Sequence, residues 1–393
     1  MSSAVAILGL AVLVLVHEAG HFFVARAVGM TPRKFYLGFG PPLVKRVRGG
    51  VEYGIAALPL GGYVKIPGMH RPAPGDIRQS LPAAQQQELA PELNELDAAL
   101  ERDDEPAARA VVARLEPRLP ESRQLQELDW ALAPDAYWRQ KAWKKVAVIA
   151  AGPFTNLLLA VVLFVGVFMV SQVKLTRTVD TVIRGKPAAA AGLHASDRIV
   201  TVAGHRVTPD DISKSINATH GRPFTIVVVR GGHRVTVGPL RARLDQGVYR
   251  VGFQIRGVPG PGESFPQACW SAVRLTWLVT SETVKSLAGL FVGNGTRNIS
   301  SAVGIVRVTS QAARQSVQDY LWVIGLVSLS LALLNLLPVL PLDGGHILMS
   351  ILERIRGRAF SQVAYMRYSA VGLTLFVFLL YLGLRNDFSA GHS

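Results

Sequence analysis

Long apolar runs separated by polar segments organise this chain. The runs are Ala4 to Val28, Val146 to Val170, Leu321 to Leu342, and a fourth with its core at Val371 to Leu384 that begins near Ala364. A bilayer-spanning helix needs about 20 mostly apolar residues. The pattern therefore predicts a multi-pass α-helical membrane protein with about four transmembrane helices. The first run lacks a basic start and a small-residue cleavage site, so it reads as a retained span rather than a signal peptide.

Between the runs the pattern changes period. Val51 to Ile66 holds two short apolar pieces around Leu60-Gly61-Gly62, which predicts a β-hairpin turning at the glycines, either dipping into the membrane edge or lying in the cytosol. Residues 71–134 shift to Ala, Glu, Gln, Arg and Pro, with helical apolar spacing over Ala83–Arg102 and Pro106–Leu115. This predicts a peripheral helical hairpin, a solvated insertion before the second span. Residues 174–258 carry short β-type runs, among them Arg198–Val202 and Phe224–Val229, and one short helix from Pro187 closed by Gly192. A small, partly open barrel fits them, making an inserted α+β domain. Ser264 to Leu287, with Phe265, Trp270, Leu275 and Trp277, reads as interfacial.

The divisions that follow are 1–28 for the first span and 29–141 for a cytoplasmic segment holding the hairpin (51–66) and the helical insertion (71–134). The second span is 142–172, the inserted module 174–258 and the interfacial segment 259–318. The third span is 319–346, a cytoplasmic loop 347–363, the fourth span 364–385 and a tail 386–393.

Composition sharpens this picture. The chain is 49% hydrophobic and 18% charged, yet its net charge is +15. The positive residues flank apolar runs: Arg33, Lys34, Lys45, Arg46 and Arg48 follow the first span with no acid among residues 29–50. That bias marks a cytoplasmic flank and an affinity for anionic lipid, and no nucleic-acid partner is expected. With Cys269 alone, neither an intramolecular disulfide nor a multi-cysteine metal site can form.

The chemistry lies inside the first span. His17, Glu18 and His21 interrupt an otherwise apolar run, and ionisable groups there are costly enough to imply function. Four residues apart on a helix, His17 and His21 share a face. This is the H-E-x-x-H arrangement, in which two imidazoles hold zinc and the glutamate acts as base. A catalytic zinc needs a third protein ligand and one open position. By parity the first and third spans run in the same direction, and His17 lies about 20 Å along its helix, in the cytoplasmic half of the bilayer. Asp343 ends the third run where Pro338, Pro341, Gly344 and Gly345 break it, and is the leading third ligand. His346 competes for that place, and Glu353 is a weaker candidate. With one Zn2+ on His17, His21 and Asp343, Glu18 takes the proton of the attacking water. Asn335, in the same run as the aspartate, is a candidate donor to the carbonyl oxygen, with an interhelical hydrogen bond as the alternative.

Together these residues resemble the site-2 proteases, intramembrane zinc metalloproteases. The resemblance is carried by His17-Glu18-Ala-Gly-His21, by Ala151-Gly152-Pro153-Phe154-Thr155-Asn156, by Gly61-Gly62-Tyr63-Val64-Lys65, and by Asn335-Leu-Leu-Pro338 with Leu342-Asp343-Gly344. Ala302-Val303-Gly304-Ile305 resembles a motif before the third span, and residues 187–204 resemble the start of a bacterial PDZ domain. The family implies four spans in the cell membrane, a membrane-associated β-hairpin, an extracytoplasmic PDZ-like domain and an active site toward the cytoplasm. It further implies cleavage of single-span membrane proteins in regulated intramembrane proteolysis, typically anti-sigma factors already trimmed by another protease. By position His17, His21 and Asp343 would be the metal ligands and Glu18 the base. The hairpin would pair with an unwound substrate as an added strand. The chain departs from the pattern at Pro341, one place late; at Ser196, where glycine is usual; in carrying one PDZ-like module; and in its helical insertion. Two rival functions use the same residues differently: a non-catalytic membrane PDZ scaffold or sensor, and a zinc-dependent transporter.

Overall fold

Apolar helices frame the larger of two units in this computed structural model, which describes residues 2–120, 122–245, 248–291, 309, 316–360, 363–374 and 377. One unit is Met1–Val167 with Cys269–Ser393; the other is Phe168–Ala268. Three helices have membrane-spanning length and composition among the described residues: α1 (Ser2–Ala27), α6 (Ala142–Val170) and α10 (Val317–Asn335). In each, only 28% of the most apolar window is buried, so most of that surface faces outward, as lipid contact requires. On α6, Phe154, Leu158 and Val162 form an exposed stripe at helical spacing, while Asn156, Ala160 and Phe164 are fully buried. The expected fourth span falls mostly outside the described residues, which show a helix over 363–374. The motif at 302–305 also lies outside them.

The β-hairpin differs from its expected form. Its strands are β1 (Lys34–Arg48) and β2 (Val51–Lys65), and the tight turn is Gly49-Gly50, both at positive φ. The Leu60-Gly62 stretch is a bend within β2, not the hairpin turn. Beyond it the chain folds back, so residues 34–37 have two neighbours: 52–55 on one side and 62–65 on the other (Lys34↔Lys65, Leu37↔Gly62). Residues 62–65 are therefore an edge. A pattern of two short apolar pieces cannot distinguish two strands from one bent strand, and the basic residues of β1 hid its alternation.

The insertion is a four-helix module, not a hairpin: α2 (Ala83–Glu88), α3 (Ala90–Glu101), α4 (Glu105–Leu115) and α5 (Arg123–Leu132). Leu93, Leu96, Val111, Val112, Leu115, Leu125 and Leu128 recur at three- and four-residue steps and close a core of their own. Asp104 caps α4, accepting from Ala107 N–H, and Ser122 caps α5, accepting from Leu125 N–H. Its C-terminal end is stitched to the hairpin: Asp135 receives Arg33 on both oxygens, and Tyr137 and Trp138 N–H donate to Pro67 and Gly68.

The second unit contains β3 (Ser171–Val182), α7 (Pro187–Ala190), β4 (Arg198–Val202), β5 (His205–Arg206), α8 (Asp211–Asn217), β6 (Phe224–Arg230), β7 (His233–Leu240), β8 (Arg243–Asp245), β9 (Val248–Arg250) and β10 (Phe253–Pro261). Its main sheet runs β10-β3-β4-β6-β7, with β5 beside β4. Alternating Ile226, Val228 and Phe224 point into a core with Ile199, Val202 and Leu193. Asp197 is 1% exposed; its carboxylate accepts two hydrogen bonds from Arg230 and one from His194 N–H. Ser196 has φ +70, in the left-handed region. An open groove of about 830 Å3 lies between α8 and β10.

Residues 265–291 form α9, with Trp270 and Trp277 well exposed. The third apolar run is not one helix. α10 stops at Asn335, residues 336–342 turn, and α11 (Asp343–Arg356) begins at the aspartate.

Candidate active site

α1 turns one stripe inward: Ala6, Leu13, His17, Gly20, His21 and Ala25 are buried, while Leu8, Val12, Leu15 and Phe23 are exposed. This stripe carries both histidines to the same point. Their Nε2 atoms are 3.2 Å apart, and Asp343 Oδ2 lies 3.1 Å from that of His17 and 3.5 Å from that of His21. Asp343 reaches them because the break after α10 makes it the first residue of a new helix, turned back toward α1.

Each imidazole is held from behind by α6. His21 Nδ1–H donates to Val148 O at 2.8 Å. This fixes the tautomer that leaves Nε2 with a free lone pair. Asn156 Nδ2 sits 3.3 Å from His17 Nδ1, while Asn156 Oδ1 is buried without a partner. The amide's two ends are interchangeable in shape. Turned over, Oδ1 accepts from His17 Nδ1–H, which leaves His17 Nε2 with its lone pair. Asn156 is in turn anchored to α10, where Ser328 Oγ donates to its carbonyl. Thr155 Oγ1 donates to Val16 O and ties α6 to α1.

Gly152 makes this proximity possible. A Cβ there would overlap the His21 ring and stand 2.8 Å from His17 Nε2. α6 can back the two rings closely only where it has no side chain.

The donor set fits a catalytic zinc. Two imidazole nitrogens and a carboxylate oxygen converge, all three ligand atoms within 4.8 Å of one another. Asp343 Oδ2 is buried with no hydrogen-bond partner, as an oxygen reserved for a cation would be.

Around these three lies a cavity of about 490 Å3. Glu18, the edge residues Gly62 to Lys65, Asn335 at the end of α10, and His346 all line it. Glu18 and Val64 of that edge face the same cavity. A Cβ on Gly62 would stand 3.3 Å from Glu18 Cγ and 2.8 Å from Tyr36 O, so glycine lets the strand approach the glutamate.

Of the competing ligands, His346 borders the cavity but is not in the converging cluster; its Nδ1 is buried and its ring stacks near Tyr365. Glu353 is engaged elsewhere. It forms a buried ion pair with Lys145 of α6 at 2.9 Å and accepts from Phe360 N–H. The residues that the sequence pattern left without a role are Gly152, Asn156, Lys145 and Gly62. Asn156 carried a usable signal, a polar amide inside an apolar run, the same one that drew attention to Asn335.

Two histidines and a glutamate on one membrane-length helix, met by an aspartate after a second, define a membrane metallopeptidase. The chain belongs to Peptidase family M50, the site-2 proteases, whose sequence profile matches residues 5–379. Three relatives bear provisional names of the same kind. A zinc metalloprotease of Campylobacter jejuni is 27% identical over 98% of this chain and 92% of its own length. One of Mesorhizobium japonicum is 30% identical over 94% of each. The protease eep of Enterococcus faecalis is 25% identical over 96% of each. The chain is a zinc metalloprotease of the membrane.

Proposed function

We propose that this enzyme hydrolyses single-span membrane proteins within or beside their spanning segment, as a step of regulated intramembrane proteolysis, with anti-sigma-factor-type proteins already trimmed by another protease as substrates. The observation that carries the proposal is the placement of Glu18, Asp343 and the two histidines in one cavity bordered by a free strand edge. An apolar helix must be unwound before a peptide bond can be attacked. The edge of residues 62–65 offers backbone groups on which an unwound segment can be held as an added strand.

In this account His17, His21 and Asp343 hold the metal, with His346 and Glu353 outside the ligand set. Zinc bound there supplies Lewis acidity toward water and the scissile carbonyl. Glu18 takes the proton of the attacking water and delivers it to the leaving amide nitrogen. Val148 O and Asn156 orient the imidazoles. Asn335, whose side chain borders the cavity at the end of α10, donates to the carbonyl oxygen as charge develops on it. The basic flank of residues 29–50 argues that this half of the enzyme faces the cytoplasm of a cell membrane, and the PDZ-like module inserted after α6, residues 174–258, is extracytoplasmic.

The test is a tagged single-span reporter reconstituted with the enzyme in proteoliposomes, its cut mapped by mass spectrometry. The proposal requires a cut in or within a few residues of the apolar segment, made by the wild type and not by Glu18→Gln. Cuts confined to soluble regions of the reporter would refute intramembrane cleavage.

A further inference from the structure

Three hollows meet at Lys65. Beyond the catalytic cavity lie two smaller ones, both lined by Glu127 and Trp130 of α5. The first, about 260 Å3, shares Lys65, Ile66 and Met69 with the catalytic cavity; the second, about 220 Å3, shares Tyr63 and Lys65. The insertion thus lines two hollows that neighbour the active site across Lys65.

Lys65 ends the edge strand, and its ammonium lies 2.7 Å from Glu127 Oε1 in a pair left 31% and 42% exposed. Glu127 has a second cation, Arg123, at 3.4 Å. Burial works to raise the Glu127 carboxyl, but Lys65 and Arg123 together hold it below the usual range. If Lys65 turns away, Glu127 keeps Arg123. Lys65 can therefore exchange partners without stranding a charge. Lys34 at the second hollow already pairs with Glu52 at 3.7 Å, which leaves Lys65 and Arg123 facing Glu127 there, so an incoming carboxylate meets a surplus of one positive charge.

A strand laid along residues 62–65 advances about 3.3 Å per residue. It passes Lys65 within a few residues of Gly62 and continues against α5. We propose that the hollows at Lys65 are a subsite for the polar flank of the substrate's spanning segment, and that this subsite selects an acidic side chain, which takes Lys65 from Glu127. The inference rests on the peptidase function proposed above. It gives the helical insertion a role as the wall that reads the substrate outside the bilayer. An ion pair this exposed confers a modest preference, roughly two- to fivefold.

The test separates binding from hydrolysis. A photoreactive residue replaces Gln126 in the Glu18→Gln enzyme, in membranes, with reporters whose flank carries a single Asp, Ala or Lys. The Asp reporter should crosslink about two- to fivefold more than Ala, with Lys lowest, and Lys65→Glu should reverse the order of Asp and Lys. Should Lys65→Glu fail to fold, Glu127→Gln decides, since releasing Lys65 should raise the Asp-to-Ala ratio. Equal crosslinking of the three reporters, an order that these variants leave unchanged, or no crosslink from position 126 would overturn the subsite. Wild-type cleavage of the same reporters tests the peptidase account separately. Charge-ordered crosslinks without cleavage would sink hydrolysis and leave the subsite standing.

Discussion

At the scale of single residues, the site depends on one missing side chain and one amide. Gly152→Ala places a methyl against both imidazoles, whereas at Gly166 of the same helix nothing lies within 4 Å of the added carbon. Gly152→Ala should cost about 10- to 100-fold in zinc affinity, the usual effect of disturbing the support of metal ligands, and Gly166→Ala should cost nothing. Zinc retained against a graded chelator reads both. Ser196 offers a second check, in the other unit. At φ +70 it occupies the left-handed region that glycine adopts freely. Ser196→Gly should raise the stability of that unit by about 0.5–1 kcal/mol in denaturant. The side chains that converge at the site, His17, His21 and Asp343, were legible in the sequence because an ionisable group in or at the end of an apolar run is costly. Gly152 was not legible, because a glycine's purpose is set by what it faces, and only the packing of α6 on α1 supplies that.

At the scale of elements, the third apolar run shows why length alone misleads. Its hydropathy continues to Leu342, but Pro338 and Pro341 cannot sustain helical hydrogen bonding, and the break delivers Asp343 to the start of α11. The element that keeps α11 in place carries charge: Lys145 and Glu353 are 5% and 8% exposed, and nearby Tyr137 OH donates to Ser350 of the same helix. Removing one partner of a buried pair strands the other, so Lys145→Met should destabilise the larger unit by about 3–5 kcal/mol. The double change Lys145→Met with Glu353→Leu should recover much of that. Thermal unfolding in detergent measures both. In the second unit, Asp197 sets a pH limit. Burial alone would raise its carboxyl, but Arg230 and the His194 amide hold it below the usual range. A depressed carboxyl contributes stability above its unfolded value, near 4, and loses it as pH falls through the folded one. Protection of residues 168–268 from proteolysis should be flat from neutral pH to about 5 and then fall. Asp197→Asn should be weaker at neutral pH and lack that part of the decline.

At the scale of the whole molecule, the enzyme answers two opposed demands. Its helices expose apolar faces to lipid, while its chemistry consumes water and needs an extended chain. The cavity meets the second demand by bordering a strand edge, residues 62–65, with polar side chains around it. The sequence announced three of the apolar helices and the residues His17, His21 and Asp343 that converge between them. It did not reveal the bent β2 strand or the four-helix closure of the insertion, since both depend on contacts between residues far apart in the chain. The central claim is that His17, His21 and Asp343 hold zinc for a hydrolysis in which Glu18 is the base. The most direct measurement is reporter cleavage and bound zinc on the same preparations of wild type and Glu18→Gln. The account predicts one zinc per chain in both and cleavage by the wild type alone. Cleavage by Glu18→Gln at the wild-type rate, with zinc in place, would contradict it.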